Sequence, residues 1–573
     1  MARSDVARAR QSQLVTTYGV GSLLPAADQS FMICGTDHWI EEFAQVVDEP
    51  RLARSMGVDG FRTPPAGGRR DVPVVRFPLM HYCPHCRRLG MPREFGATDQ
   101  SMECSTCDYD LVPSRFVACC DNGHIEDFPY RRWVHADQGG GGQGDGHQLF
   151  LETHGRSSSL ADVVIRCECG VRPVSMFGSF DRGALAGLSR CHGRRPWLLD
   201  AEEVPCERPL RTLQRGSSNV WFPIGRSTIS IPPWSGTSAR LVDKHWDILK
   251  NLSSNGAREA IDGLAAERGD ISVETVMDLL ERRKGMDTRV PPTEAELRSE
   301  EYDALKTGND GSAPSDNFDC TPQDVHDAVA DVVAQVCEVS RLREVRALEG
   351  FTRVTPPDPG MAPARIGALS ETPMRWLPAI EVHGEGVFLR LHEKHVARWE
   401  ASAFALARAE RLTRAQAARD QEYQRPDSPP VTARFVGLHT LAHIVLKEMS
   451  LDAGYPVASL RERVYSGPGE AGILIYTASS DAAGSLGGLA QLAAEHRLGG
   501  ILRAAVNRAS WCSSDPVCAE SAGSGVENLN LAACHACVLL PETSCDHRNL
   551  LLDRVSVIGT VDEPQLGLLG EYL

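Results

Sequence analysis

Eighteen cysteines, gathered into two regions, constrain this 573-residue chain more than any other feature. Ten lie between Cys83 and Cys206, five lie between Cys512 and Cys545, and Cys34, Cys320 and Cys337 stand apart. Cysteines bunched in this way either cross-link an oxidised scaffold or present thiolates to metal. The N-terminus, Met1-Ala-Arg-Ser-Asp, is polar and no apolar core follows it, so it does not read as a secretory leader. No stretch approaches the ~18 uninterrupted apolar residues of a membrane span. A cytoplasmic protein with no membrane partner is therefore expected, and in that reducing setting clustered thiols point to metal.

Cys83-Pro-His-Cys86 is followed, after seventeen residues, by Cys104-Ser-Thr-Cys107. Two such knuckles place four thiolates tetrahedrally around Zn2+, the zinc-ribbon arrangement, and leave no open position for catalysis. Metal of this kind contributes ~10–16 kcal/mol of folding free energy, so the segment should depend on it. Further on, Cys167, Cys169, Cys191 and Cys206 make a second candidate site, with Cys119, Cys120 and His124 as spare ligands. Their spacing matches no standard pattern, and free thiols buried in a small core are the alternative. In the C-terminal region Cys534-His-Ala-Cys537 is a third knuckle, and Cys512 and Cys518 are its natural partners. Cys545 competes with them, so five cysteines offer one tetrahedral zinc site with a ligand to spare. Two or three structural zinc ions are expected.

The chain reads as an α+β multidomain protein. An N-terminal segment (1–80) precedes a cysteine-rich, zinc-ribbon-containing region (81–237), a mainly helical middle (238–430) and a mixed α/β zinc-binding domain (431–573). The clearest helix start in the middle is Thr321-Pro322-Gln323-Asp324, a hydroxyl N-cap with proline at the first helical position. Val325, Val329, Val332, Val333 and Val336 follow at helical spacing. A second helix is expected over 433–451, stopped by Gly454, with Phe435, Leu438, Ala442, Val445 and Met449 as its apolar stripe. Ala471 to Ala478 reads as a central strand, and two helices ending near Ser510 follow a Gly-rich turn. Gln138 to Gly146 reads as a flexible Gly-rich loop.

Little else points to catalysis. His439-Thr-Leu-Ala-His443 puts two imidazoles on one helical face, but Thr440 stands where a metalloprotease needs its glutamate. The pair reads as hydrogen-bonded histidines beside a core stripe. Gly484-Ser-Leu-Gly-Gly488 is a weak phosphate-loop candidate, and no G-x-x-x-x-G-K-[ST] occurs in the chain. Tyr130-Arg-Arg-Trp133 and the stretch from Cys191 to Trp197 interleave arginine with aromatics, which suits packing or nucleic-acid stacking. A formal charge of −16 excludes a protein held on DNA by net charge alone.

Several stretches together carry a family pattern. They are Gln13–Gly19, Cys120–Phe128, Gln214–Asn219, Arg341–Val345, Leu377–Glu381 with Gly384–Gly386, Arg461-Glu462-Arg463, Gly472–Thr477 and Asn530–Cys534. From near residue 11 to about Arg554 the chain resembles the DrmB family of the DISARM anti-phage defence system. Its C-terminal part resembles the zinc-binding domain that ends MrfA-type helicases. The resemblance implies a non-catalytic subunit that acts beside a separate DrmA-like helicase/ATPase and meets DNA within that complex. Two other readings stand against it. One is a metal-dependent nuclease using His439, His443 and acids such as Asp481; the other is a scaffold that binds the helicase and never touches DNA.

Overall fold

The computed structural model describes residues 7–68, 71–98, 101–136, 146–155, 159–266, 271–286, 290–309, 315, 317–358, 361–423, 425–477 and 488–570. They form two compact units, each drawn from separated stretches of chain. The first comprises 1–47, 58–226 and 346–380; the second comprises 48–57, 227–345 and 381–573.

In the first unit an antiparallel sheet of six short strands runs in the order Val174–Ser175, Val163–Cys167, Leu149–Thr153, Arg88–Gly90, His81–Tyr82 and Val112–Pro113. Strands of two to five residues bury little apolar area, which is why this unit leans on its cysteines. Cys83 and Cys86 occupy the turn between His81–Tyr82 and Arg88–Gly90. A second sheet orders Ile125–Asp127, Phe116–Cys119 and Arg211–Gln214, and its hairpin turn holds Cys120 and His124. That turn closes tightly: Gly123 takes φ 78° and donates its N–H to the Cys120 carbonyl at 3.1 Å.

The second unit is built on long strands. The sheet runs Phe222–Ile229, Val333–Thr352, Trp376–Leu391, Gly472–Thr477 and Leu460–Tyr465, with Phe318–Gln323 paired beside Val333–Thr352; residues 222–226, 346–352 and 376–380 of these strands are counted with the first unit. Gly472–Thr477, expected as a central strand, lies between two antiparallel neighbours. Helix Ala433–Ala453 packs against this sheet and against helix Glu495–Ala509. Thr432 caps it by accepting the Phe435 N–H at 3.2 Å. The helix is buried around its whole circumference and not only along the expected stripe; His439, Thr440 and His443 are all enclosed. Gly454 ends it at φ 72°, and a Cβ added there would meet nothing within 4 Å. Gly454→Ala is therefore expected to cost only the left-handed strain, about 1 kcal/mol. A thermal melt should show a small downward shift with metal content unchanged.

The helix expected from Thr321 is absent. Phe318–Gln323 is a strand, Asp327–Val329 is a single 3-10 turn, and Val333–Thr352 is a strand of 20 residues. Of the five valines at helical spacing, Val333 and Val336 lie in the longer strand, where β-branched side chains, stiff at χ1, suit a pleated surface; Val325, Val329 and Val332 lie in the loop and turns before it. Pro322, which suits a first helical turn, is equally at home in a short strand with a single neighbour. The middle of the chain is helical from Thr237 to Thr307 and from Glu393 to Glu422, with the long strands between. The Gly-rich stretch from Gln138 lies, but for Gly146, outside the described residues. Among those described, no helix is long and apolar enough to cross a membrane.

Candidate metal centres

Among the described residues, five groups of four side chains each bring their ligand atoms within 4.8 Å of one another. The first is Cys83, Cys86, Cys104 and Cys107, gathered as the sequence spacing requires. The two knuckles are built alike. Arg87 at φ 64° returns its N–H to the Cys83 carbonyl at 2.9 Å, and Asp108 at φ 56° returns its own to Cys104 at 2.8 Å. Left-handed backbone at a non-glycine residue carries strain, so something must hold these turns. Cys86 and Cys104 sulfurs lie 3.9 Å apart. Thiolates tetrahedral about zinc at ~2.3 Å stand about 3.8 Å from each other, whereas a disulfide needs about 2.05 Å.

The second expected site divides in two. Cys191 and Cys206 join Cys120 and His124, the former spare ligands, while Cys167 and Cys169 join His135 and His147. Cys167 ends strand Val163–Cys167 in the six-stranded sheet, whereas Cys120 follows Phe116–Cys119 in the other sheet. One ion cannot draw on both. In the Cys120 group, Cys120 and Cys191 sulfurs are 3.6 Å apart, and each lies 3.4–3.5 Å from His124 Nδ1. Cys206 stands 4.0 Å from Cys120, and Cys119 points elsewhere. In the other group His135 Nε2 is 3.4 Å from Cys169 Sγ. The Val171 backbone and then the His135 ring pull the exposed Cys169 thiol down to about 6, toward the thiolate a metal binds. His135 and His147 were missed because neither belongs to a cysteine knuckle, and they lie twelve positions apart in the chain (147 − 135), although the fold brings their rings to 6.0 Å.

At the C-terminal end Cys512, Cys518, Cys534 and Cys537 come together, and Cys545 does not join them. The sulfur separations are 3.5 Å for Cys512–Cys534, 3.7 Å for Cys518–Cys537 and 3.6 Å for Cys534–Cys537. Asp515 braces the turn by accepting N–H groups from Cys512 and Ala519, and it in turn accepts from Arg554 at 2.6 Å. Burial opposes ionisation of Cys534, but the Cys537 backbone and Cys512 prevail and bring it down to about 7. Cys545 instead sits with His439, His443 and Glu462. Each of the expected hydrogen-bonded histidines makes one such contact, His443 Nδ1 with the Val538 carbonyl at 3.1 Å and His439 Nε2 with Cys545 Sγ at 3.2 Å, while His443 Nε2 and His439 Nδ1 have no hydrogen-bond partner. Asp481 and residues 484–487 of the glycine turn lie outside the described residues. The aromatic–arginine stretches serve packing: Tyr130 and Trp197 are each about 1% exposed, and Trp133 donates to the Ser175 carbonyl.

The chain is 30% identical over 561 residues to the DISARM protein DrmB of Bacillus paralicheniformis, a match spanning 94% of this chain and 98% of that one. The chain belongs to the DrmB family. Within this DrmB-family sequence, residues 10–222 match a domain of unknown function, DUF8724, and residues 441–538 match the MrfA Zn-binding domain. The second match encloses Cys512, Cys518, Cys534 and Cys537 and stops before Cys545. The donors fit the ion that this domain's description names. Four unbridged sulfurs at the separations of a tetrahedral zinc site, braced by backbone N–H groups, have no other use for that geometry.

Proposed function

We propose that this chain is a non-catalytic, zinc-stabilised subunit of a DISARM defence complex. In this reading it works beside a DrmA-like helicase/ATPase and helps that complex hold foreign DNA. The observation that carries it is similarity to a DISARM DrmB that spans 94% of this chain and 98% of that one. Closed sets of four ligands support a structural use of metal, since a catalytic zinc keeps a position open for water or substrate. The absence of a G-x-x-x-x-G-K-[ST] sequence supports placing ATP hydrolysis on another chain. We assign Cys83, Cys86, Cys104 and Cys107 to one zinc, and Cys512, Cys518, Cys534 and Cys537 to another. Cys120, His124, Cys191 and Cys206 suit a third, and His135, His147, Cys167 and Cys169 a fourth. A net charge of −16 fits DNA contact through a local surface within a complex, not unaided adhesion.

Co-expression with a DrmA-like helicase tests the reading. The two chains are expected to co-purify, and the pair to shift duplex DNA at concentrations where this chain alone does not. Co-purification without any DNA crosslink to this chain would support the scaffold reading, and failure to co-purify would end the proposal. The nuclease reading predicts cleavage by the isolated chain with divalent ions. It meets an obstacle in His439 and His443, which are 0% exposed and offer no path to a phosphodiester.

A further inference from the structure

We propose that His439, His443, Glu462 and Cys545 form an additional, fully enclosed site for one divalent metal ion, zinc in particular. All four side chains are buried within the second unit. His439 Nε2 lies 3.2 Å from Cys545 Sγ and 3.5 Å from Glu462 Oε1, and His443 Nε2 lies 4.0 Å from that same oxygen. Nitrogen, oxygen and sulfur donors tetrahedral about zinc stand about 3.4–3.6 Å apart, so the set needs only small shifts to close.

Two polar atoms of the group have no partner: His443 Nε2 and Glu462 Oε2 are buried without a hydrogen bond. Leaving one such atom unsatisfied costs about 1–3 kcal/mol, so two in one dry pocket ask for a ligand that answers them together. The supporting contacts are those of a metal centre. Because His443 Nδ1–H donates to the Val538 carbonyl, the lone pair of the neutral ring sits on Nε2, aimed into the cluster. The N–H groups of His547 and Asn549 both donate to Cys545 Sγ at 3.3 Å, contacts that hold the sulfur in place and suit a metal-bound thiolate. The Asp546 N–H donates to Glu462 Oε1 at 3.3 Å and fixes the carboxylate.

Charge selects the ion. A thiolate from Cys545 and a carboxylate from Glu462 supply two negative charges, and two neutral imidazoles supply none, so a divalent cation leaves the pocket neutral. Mixed sulfur, nitrogen and oxygen donors in a closed tetrahedral set favour zinc over magnesium or calcium, which take oxygen shells. The local architecture shows why the ligands converge. His439 and His443 are one turn apart on the helix, and Glu462 projects from the facing strand on the side opposite Arg461 and Arg463. This site goes beyond the proposed function and does not depend on it.

The test uses the full chain purified without chelator. Metal content by mass spectrometry is expected to fall by one zinc per chain in His443→Gln and in Cys545→Ser, while Cys34→Ser leaves it unchanged. A folded His443→Gln or Cys545→Ser chain that keeps the wild-type metal content would overturn the proposal. Should those variants fail to fold, the wild-type chain decides. Crystals recorded at the zinc edge are expected to show an anomalous peak bounded by His439, His443, Glu462 and Cys545. Peaks at the four-cysteine clusters with none here, or a peak here at the iron edge alone, would overturn it.

Discussion

Replacing Cys104 with serine is expected to unfold the segment from Cys83 to Pro113 and to release one zinc per chain. The apolar support there is thin: among the described residues of the segment, Leu89, Phe95 and Leu111 are the fully buried hydrophobic side chains besides the cysteines, and Leu89 belongs to a separate core with Leu149. At about 1.5–3 kcal/mol each they cannot offset the ~1–2 kcal/mol of conformational entropy that every ordered residue costs. The strained turns at Arg87 and Asp108 add to the deficit. Metal, at ~10–16 kcal/mol, is the one contribution large enough to close it. Limited proteolysis should then cut between Cys83 and Pro113 in Cys104→Ser and leave the wild type intact, and zinc per chain should drop by one. A Cys104→Ser chain with wild-type protease resistance and full zinc content would remove metal from the account of this segment.

What was legible in the sequence was what depends on short spacing. The paired knuckles announce themselves because two cysteines three apart in a tight turn must meet, and helix Ala433–Ala453 because its cap, apolar run and stop glycine agree. Sites assembled across the sheet were not legible. Cys167 and Cys191 are both cysteines in one region, yet Cys167 ends a strand of the six-stranded sheet while Cys191 joins Cys120 at the turn of the other sheet, and no spacing rule separates them. The strand Val333–Thr352 was hidden for another reason: nearly continuous burial along it erases the alternation that marks a half-buried strand.

The histidine cluster shows a further limit. Thr440 argues correctly against a protease motif, but the third and fourth partners come from Glu462 and Cys545, which only the folded chain brings to His439. Family motifs, by contrast, mark places where the fold is pinned. Arg353 donates to the carbonyls of Gly123, Val220 and Gly21, so one buried guanidinium ties together three stretches near those that carry the family pattern.

Arg463, in the motif Arg461-Glu462-Arg463, is expected to be the most costly single arginine to replace. Its guanidinium is fully buried and donates to both oxygens of Glu301 at 2.9–3.0 Å, to Glu344 at 2.8 Å and to Ser227 at 2.6 Å. Glu301 also accepts from Thr228 and the Ile229 N–H, so the carboxylate is fixed in a dry pocket. Arg463→Met leaves that charge facing Arg298, 3.6 Å away, and should cost about 3–5 kcal/mol in urea unfolding. Adding Glu301→Gln removes the stranded charge while keeping an acceptor, so the double variant should recover part of the loss; a double variant whose loss equals the sum of the Arg463→Met and Glu301→Gln losses would show that the pair is not coupled. The pH dependence has a defined sign. Burial raises the Glu301 pKa, but Arg463 and then Arg298 outweigh it and hold the group below the usual carboxylate range. A carboxylate depressed in the folded state adds stability above its unfolded pKa of about 4.3, and that stability drains away as pH falls through the folded value. Wild type should therefore weaken steeply on the acid side, while Arg463→Met, already without the interaction, should lose less over the same range.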